Sequence, residues 1–496
     1  MSRADPNSVS PGIAGRAEPA PPYGDRGGAP LPRATPESPP PPSFEPPRSA
    51  VSVLRHRDFR IVWIASFGSS IGNWMEMIAV QWIVAEQTGD VTWMGYLAAA
   101  QLAPSLVLGM FGGVVADHVN RRSLLLVSQF IMMIVALGFV TAAALHVTTP
   151  RVLLFLCLAQ GLVLPFNAPA WQVLTPRLVP RGELTNAIVM QGIQFNMARV
   201  IGPSIGGILL AWGGPTVLFA INALSFIGVL AGVIATPDAP APPPKPGDEH
   251  WLSFRSVWNL TRDAMVWVFT RPGPRAAMLA TFIFALLATP ILRFLPLFVS
   301  QVYEMNEETY GGIVAVMGVG AVLGGILIGK FPAWYPKHHF IPMSVLGGGL
   351  SILAFALTTN VIVAAVIMVF VGLFWMWAFN SAMSATHMLV SDEMRGRVLA
   401  VSNTIAMGLM PAGSLLAGWI GEGAYALLRH YRPRWESHGF PAQAGIAGVA
   451  ILLLAAGAVM LTFRTPEVDG LHPGDPGYDR RPGLFRGLLA TAHRPR

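Results

Sequence analysis

Apolar stretches of about 20 residues, separated by short polar connections, follow one another from Phe59 to Phe463. An α-helix rises about 1.5 Å per residue, so a stretch of about 20 apolar residues crosses the ~30 Å hydrocarbon core of a bilayer. The pattern predicts an all-α membrane protein with twelve transmembrane helices. The predicted spans are residues 59–85, 91–115, 123–146, 151–174, 184–211, 215–235, 276–300, 309–331, 339–358, 361–387, 394–420 and 440–463.

Two similar stretches on either side of the midpoint indicate that the spans form two halves. Residues 178–209 and 389–420 each open with Leu-Val, pass through a charged turn and continue into a helix with a central proline. Six spans, a long loop and six related spans predict two pseudo-symmetric six-helix bundles, as in transporters built from internal repeats. The expected segments are a disordered Pro-rich cytoplasmic arm (1–57), the first bundle (58–236), a Pro-rich linker with a cytoplasmic amphipathic helix (237–275), the second bundle (276–463) and a basic cytoplasmic tail (464–496).

The distribution of basic residues predicts the orientation. The even-numbered connections carry thirteen Lys and Arg side chains, and the odd-numbered connections carry four. Basic loops stay in the cytoplasm, so both termini are expected on the cytoplasmic side of a multi-pass protein in the cell membrane (a bacterial inner or plasma membrane). The amphipathic helix then lies in the cytoplasmic interface, either as a plain connection between the halves or as a partner-binding element.

Composition supports a membrane protein and argues against several other classes. Only 12% of the residues are charged while 53% are hydrophobic, which is about half the charge of an ordinary soluble domain. The single Cys157 rules out an intrachain disulfide and a multi-thiolate metal site, and the sequence has no Walker-type phosphate-binding loop. We therefore expect no enzyme activity, no cofactor and no metal site. The net charge of +7 comes from the basic loops, so nucleic acid is not an expected partner.

The connection after the second span carries a motif that consists of a glycine, an aspartate four residues later and a basic pair after a turn: Gly113, Asp117, Arg121 and Arg122. It resembles the signature of the major facilitator superfamily between its second and third spans. Asn120 replaces the turn glycine, and Asn tolerates a left-handed backbone. We expect Asp117 to hold a cytoplasmic gate closed. Its carboxylate would accept hydrogen bonds from the start of span 11, because the positive end of a helix attracts a carboxylate, and it would also pair with Arg395 or Arg397.

Further stretches narrow the resemblance: residues 54–60, 72–75, 81–82, 167–172, 196–203 and 395–398. They are similar to the branch that contains the enterobactin exporter and related drug:proton antiporters. The resemblance implies a secondary active transporter that exports small amphipathic, drug- or siderophore-like molecules in exchange for protons. In span 5, the residues Gly202, Pro203, Gly206 and Gly207 resemble the end of the antiporter signature, although glycine and proline are also common in ordinary membrane helices.

Three ionisable side chains lie inside predicted spans: Glu76 in span 1, Arg199 in span 5 and Arg293 in span 7. A charge near the bilayer centre costs at least ~2.5 kcal/mol, so each should face water or a partner. All three are candidates for proton coupling, with Glu76 as the group that binds the proton and Arg293 as the charge whose approach controls it. The alternatives are a fixed ion pair between the halves and a Glu76 hydrated near the outer interface. Arg199 also fits a structural anchor or an anion-attracting group.

Candidates for a substrate cavity are Asn73, Trp74, Gln160 and Asn380. Neighbouring aromatic and methionine side chains form either an adaptable apolar lining or a lipid-facing surface. The expected partners are a small-molecule substrate, protons and the lipid bilayer, and the chain is expected to act as a monomer. Two alternatives to an exporter stay open: a non-transporting receptor or scaffold on the same fold, and an importer.

The substitution Asp117→Asn tests the gate. It removes the charge of the carboxylate and keeps its shape, so the protein should fold but should turn over about fivefold more slowly, as a loss of ~1 kcal/mol of gate stabilisation would give. The measurement is export at equal expression level. Unchanged export by this variant would contradict a gating role for Asp117.

Overall fold

The computed structural model describes residues 50–236, 254–328, 337–390, 392–431 and 438–462. Almost all of them are helical, and no β-strand occurs among these residues. The α-helices are α1 (Arg57–Thr88), α2 (Val91–Leu102), α3 (Pro104–His118), α4 (Arg121–Ala144), α5 (Pro150–Leu174), α6 (Leu184–Ile234), α7 (Phe254–Phe269), α8 (Pro272–Ala288), α9 (Pro290–Leu297), α10 (Glu307–Ile328), α11 (Lys337–Leu357), α12 (Val361–Leu389), α13 (Asp392–Tyr431) and α14 (Phe440–Thr462). The shorter elements are the 3-10 helices Ala50–Arg55, Thr175–Leu178 and Arg181–Glu183 and the π-helix Phe298–Val302.

Ten helical segments in the described residues are long and apolar enough to cross a bilayer. The expected twelve spans are therefore not confirmed, and the difference has two sources. Spans 5 and 6 lie in the single helix α6, and span 1 lies in α1, which is not one of the ten. The count of twelve, the division into two bundles and the orientation of the termini stay predictions.

A backbone break divides α6 at the point where the sequence predicts the end of one span. The helix has 51 residues and would be ~75 Å long if it were straight, more than twice the hydrocarbon thickness. Gly214 has φ 68° and ψ 179°, a conformation open to glycine because it lacks a Cβ. Pro215 follows, and its fixed φ suits the first turn of a new helix. The kink lies between the predicted spans 184–211 and 215–235.

The last residues of the segment predicted to be an arm are helical. Ala50–Arg55 form a 3-10 helix, and Val53 is buried. Arg55 and His56 bind the two carboxylate oxygens of Glu183, just before α6, at 2.6 and 3.1 Å. The hydrogen bond from the Arg55 guanidinium lowers the pKa of the Glu183 carboxyl group. The arm expected at 1–57 is therefore too long at its C-terminal end, while residues 1–49 lie outside the described residues.

The predicted amphipathic helix is α7, which packs one face against the second half of the chain. Ala264 and Val268 are buried in a cluster that includes Met278 of α8 and Val398 of α13. Trp258 on the same helix is exposed. The prolines of the expected linker lie outside the described residues, and a position of α7 at the membrane surface stays a prediction.

Two long helices contact both halves of the chain. α6 packs against α1 of its own half and against α10 of the second half, while α13 of the second half packs against α2 and α3 of the first. Small residues allow membrane helices to approach closely. A Cβ on Gly311 of α10 would lie 2.5 Å from the Pro203 carbonyl oxygen and 2.9 Å from Gly207 Cα, both in α6. The contact between α6 and α10 therefore requires a glycine at position 311.

The substitution Gly311→Ala should destabilise the protein, because its methyl group overlaps the backbone of α6, and overpacking of this kind costs ~1–3 kcal/mol. Gly312→Ala is the matched control, since nothing lies within 4 Å of a Cβ at that position. We expect the melting temperature of the detergent-purified protein to fall by several degrees for Gly311→Ala alone. An equal shift in both variants would mean that the helix contact is not the cause.

Candidate functional site

Glu76 lies on α1 and is held by two amide side chains from neighbouring helices. Its side chain is buried. Gln160 Nε2, from α5, donates to Glu76 Oε1 at 2.5 Å, and Asn222 Nδ2, from α6, donates to Oε2 at 2.7 Å. Gly72 lies one turn earlier on α1, and a Cβ there would meet Asn222 Cα at 3.2 Å and overlap its side chain. The glycine therefore lets the amide from α6 reach the carboxyl group.

Arg293 lies on α9 and is bound by glutamines from the first half of the chain. Its Nη2 donates to Gln101 Oε1 of α2 at 3.0 Å. In the amide orientation that satisfies its neighbours, Gln81 of α1 accepts from Arg293 Nη1 at 2.9 Å. The nitrogen of the same amide donates to the Tyr310 hydroxyl of α10 at 2.9 Å and to the Leu292 carbonyl at 3.1 Å. These bonds join α1 and α2 to α9 and α10.

Glu76 and Arg293 face one small cavity. Its polar lining consists of Glu76, Gln81, Gln101, Cys157, Gln160 and Arg293. The volume is about 10 Å³, at the lower limit for one water molecule. Among the described residues, no ion pair joins Glu76 to Arg293, and each is satisfied by amides. The structure thus lacks the fixed ion pair considered from the sequence, and a buried Glu76 does not fit a carboxylate hydrated at the interface.

Arg199 lies on α6, outside the hydrogen bonds of Glu76 and Arg293. It is buried, and no acidic side chain among the described residues pairs with it. Its guanidinium carbon lies 6.0 Å from the ring centroid of Trp74 on α1 and 5.2 Å from that of Trp375 on α12. Nη2 contacts Met317 Sδ of α10 at 4.0 Å, and a thioether is a weak acceptor. Arg199 therefore lies between aromatic rings from the two halves.

The antiporter-like stretch of α6 forms helix contacts in this structure. Gly202 and Gly206 face α1, and Gly207 faces α10. A Cβ on Gly202 would lie 2.6 Å from the Trp74 Cβ, so this glycine allows the Trp74 ring to lie beside Arg199. Pro203 lies inside the helix. A role of these residues in antiport stays a prediction.

For most residues of the proposed gate, the structure does not describe the position beyond the backbone. These residues are Gly113, Asp117, Arg121, Arg395 and Arg397. The first two belong to α3, the third begins α4, and the last two belong to α13. The gate therefore stays a prediction.

Arg122 and Asn120 have capping roles that the motif did not predict. Arg122 donates from Nε to the Val233 carbonyl at 3.1 Å and from Nη2 to the Ile234 carbonyl at 2.5 Å. These carbonyls end α6, where a cation is favourable. Asn120 has φ −61° and its side chain accepts from the Ser123 N–H at 3.1 Å. The left-handed turn expected at Asn120 is therefore wrong, because this residue N-caps α4.

The four candidates for the substrate cavity do not form one cluster. Gln160 and Trp74 belong to the two sites described above. Asn73 and Asn380 are exposed, and the Asn380 amide donates to the Met376 carbonyl of its own helix at 3.1 Å. In the part of the chain that the structure describes, no group of three His, Cys, Asp or Glu side chains could hold a metal ion.

The sequence patterns did not single out Asn222, Gln101 and Tyr310, which complete the polar network. Asn222 and Tyr310 are fully buried. Each is a polar side chain within an apolar stretch, and this was the available signal, because a polar group in a membrane helix needs an interhelical partner. The identity of that partner depends on how the helices pack.

Comparison with known proteins gives a family and several relatives. A family model described as transmembrane secretion effector matches residues 48–476. The enterobactin exporter EntS of Escherichia coli is 25% identical over 375 residues, which cover 75% of this chain and 87% of that exporter. The staphyloferrin A transporter of Staphylococcus aureus is 22% identical over 361 residues, which cover 71% of this chain and 86% of that transporter.

Solved transporter structures share the fold. A bacterial homologue of the human lysosomal transporter Spinster, in an inward-facing and unoccupied conformation, matches with a TM-score of 0.59 and 16% identity over 82% of this chain and 95% of that chain. The nucleoside transporter NupG matches with a TM-score of 0.58 and 15% identity over 82% of this chain and all of its own. At these identities the likeness concerns the fold alone.

Removal of one amide tests the packing of the Glu76 site. Asn222→Ala should destabilise the protein, because it leaves a buried carboxyl oxygen without its donor, which costs ~1–3 kcal/mol or more. Asn380→Ala is the matched control, since that amide is exposed and bonds within its own helix. We expect the melting temperature to fall by several degrees for Asn222→Ala alone. Equal melting temperatures for the two variants would contradict a stabilising role of the hydrogen bond between Asn222 and Glu76.

Proposed function

Because the chain belongs to the transmembrane secretion effector family of major facilitator superfamily transporters, we propose that it exports small amphipathic molecules in exchange for protons by alternating access. Its relatives and its fold are those of multi-pass transporters of the cell membrane. Similarity to the enterobactin exporter over most of both chains supports the outward direction. The observation that carries the proton coupling is the buried Glu76, which is held by neutral amides rather than by a cation.

Glu76 can keep its hydrogen bonds in either protonation state. As a carboxylate it accepts from the amide N–H groups of Gln160 and Asn222. As a carboxylic acid it has an O–H donor, and an amide can rotate to present its oxygen as the acceptor, because each amide carries both kinds of group. An arginine in the place of these amides has only donors, so it would favour the carboxylate form of Glu76 alone. The amides therefore support Glu76 as a group that takes up and releases a proton.

Arg293 connects this protonation to the movement of the halves. Its hydrogen bonds to Gln81 and Gln101 cross from the second half to the first, so they break when these helices separate. Glu76 faces the same cavity, and a carboxylate there attracts the Arg293 cation through surroundings of low polarity. Protonation of Glu76 removes this attraction and favours separation of α9 from α1 and α2.

The export itself is tested by the accumulation of a panel of small amphipathic compounds in cells with and without the protein. We expect lower accumulation of at least one compound class in cells that contain the protein. A protonophore should abolish the difference, because it removes the driving gradient. No protonophore-sensitive difference across the panel would favour the scaffold, and higher accumulation would favour the importer.

Glu76→Gln should reduce export against a substrate gradient by roughly tenfold or more, because the amide cannot take up the coupling proton. Glu86→Gln is the matched control, since Glu86 lies on the same helix and is exposed. The measurement is transport of an accepted compound in proteoliposomes with an imposed pH gradient. If Glu76→Gln still exports against the gradient with the pH dependence of the unmodified protein, Glu76 is not the proton carrier.

A further inference from the structure

Arg199 is a buried cation whose hydrogen-bonding capacity is largely unused by the residues that the structure describes. Only 9% of its surface is exposed, and a guanidinium carries five N–H donors. Its one hydrogen-bond contact among the described residues is the sulfur of Met317 at 4.0 Å. The cation–π contacts with Trp74 and Trp375 compensate for part of the lost hydration, but they satisfy no N–H donor. A buried cation in this state attracts an anion.

The surroundings of Arg199 offer aromatic surface as well as charge. Trp74 and Trp375 are half-buried, and Phe195, one turn before Arg199, is exposed with its ring centroid 6.1 Å from that of Trp74 in an edge-to-face contact. Phe284 supports Trp375 in the same way at 5.2 Å. The rings come from α1, α6, α8 and α12, so a flat ligand beside Arg199 would touch both halves of the chain.

The indole N–H groups of Trp74 and Trp375, next to Arg199, have no acceptor among the described residues. Other tryptophans in the described residues use their indole N–H within the protein: Trp63 donates to the Met190 carbonyl at 3.1 Å, and Trp377 donates to the Gly324 carbonyl at 2.8 Å. Neither Trp74 nor Trp375 has such a bond in the part of the chain that the structure describes. A ligand with anionic oxygens would supply acceptors for the guanidinium and for these indoles.

We propose that Arg199, Trp74 and Trp375 form a binding site for an anionic aromatic small molecule, and that this is the class of substrate the protein exports. The carboxylate or phenolate of the ligand binds the Arg199 guanidinium, and its ring packs against the tryptophans. The substrate part of this statement rests on the proposed function, while the binding part does not. An inorganic anion would leave the aromatic surface uncovered, and a neutral ring would leave the Arg199 donors without acceptors.

Binding to the purified protein in lipid nanodiscs tests the site with three ligands that share one ring: 2-naphthoate, 2-naphthamide and 2-naphthylmethylammonium. We expect calorimetry to show that the unmodified protein binds naphthoate roughly tenfold or more tightly than naphthamide, the range that a hydrogen bond to a charged group gives. The ammonium compound should bind most weakly of the three. Inorganic phosphate should not displace naphthoate at similar concentration, because phosphate has no ring to pack on the tryptophans.

Two variants and a control assign the effect to Arg199. Arg199→Gln should lower naphthoate affinity by roughly tenfold or more and change naphthamide affinity little, while Trp375→Leu should weaken both aromatic ligands. Arg271→Gln is the matched control, because Arg271 is also an arginine over a tryptophan, 4.1 Å from the Trp267 ring centroid, but it is exposed. Arg199→Lys keeps the charge and provides a second test if Arg199→Gln does not fold; it should retain a preference for the anion.

Equal binding of naphthoate and naphthamide by the unmodified protein would overturn the proposal, as would a preference that persists in Arg199→Gln. Displacement of naphthoate by phosphate at similar concentration would overturn its aromatic part. Failure of this site and failure of the proposed function remain distinguishable. Export without any preference for the anion removes the site alone. A confirmed preference without protonophore-sensitive export removes the transport function and the substrate part of this proposal, and leaves the binding site.

Discussion

Polar side chains within the helix bundle need hydrogen-bond partners on neighbouring helices, because the interior of a membrane offers no water to serve as a partner. Glu76 meets this constraint with one amide from α5 and one from α6. Arg293 meets it with glutamines from the opposite half. These contacts hold five helices in a defined arrangement around a cavity of about 10 Å³. The position of the candidate proton site is thus a consequence of hydrogen-bond satisfaction as much as of hydrophobic packing.

Close helix contacts determine which polar groups can meet. Gly72 leaves room for Asn222 to reach α1, and Gly311 leaves room for α6 to approach α10. In the second contact between the halves, a Cβ on Gly95 of α2 would lie 2.7 Å from Leu415 Cδ2 of α13. The contact between α6 and α10 thus places Gly207 against Gly311, whereas the contact between α2 and α13 places Gly95 against a leucine. Closely packed interfaces favour discrete arrangements over intermediate ones, which fits the alternating access proposed above.

The two buried charges of the first half are treated differently by the fold. Glu76 has neutral partners that fit both of its protonation states, whereas Arg199 keeps a permanent charge and lies between rings that satisfy no donor.

If both proposals hold, one proton moves inward as one anion moves outward. The exchange then carries two charge equivalents in the same direction, and each is worth ~2.3 kcal/mol per 100 mV of membrane potential. The membrane potential as well as the pH gradient would drive such an export.

The amino-acid sequence by itself determined the helical class, the membrane setting and the family, because these follow from the length of apolar stretches and from local motifs. It also indicated that Glu76, Arg199 and Arg293 are unusual, since any charge within an apolar stretch is costly. Only the tertiary structure decided that Glu76 and Arg293 share a cavity without forming an ion pair, and that Arg122 caps α6. The partner of a buried polar group depends on how each helix is rotated and how closely it approaches its neighbours, and residues far apart in the chain, such as Gly72 and Asn222, set that geometry together.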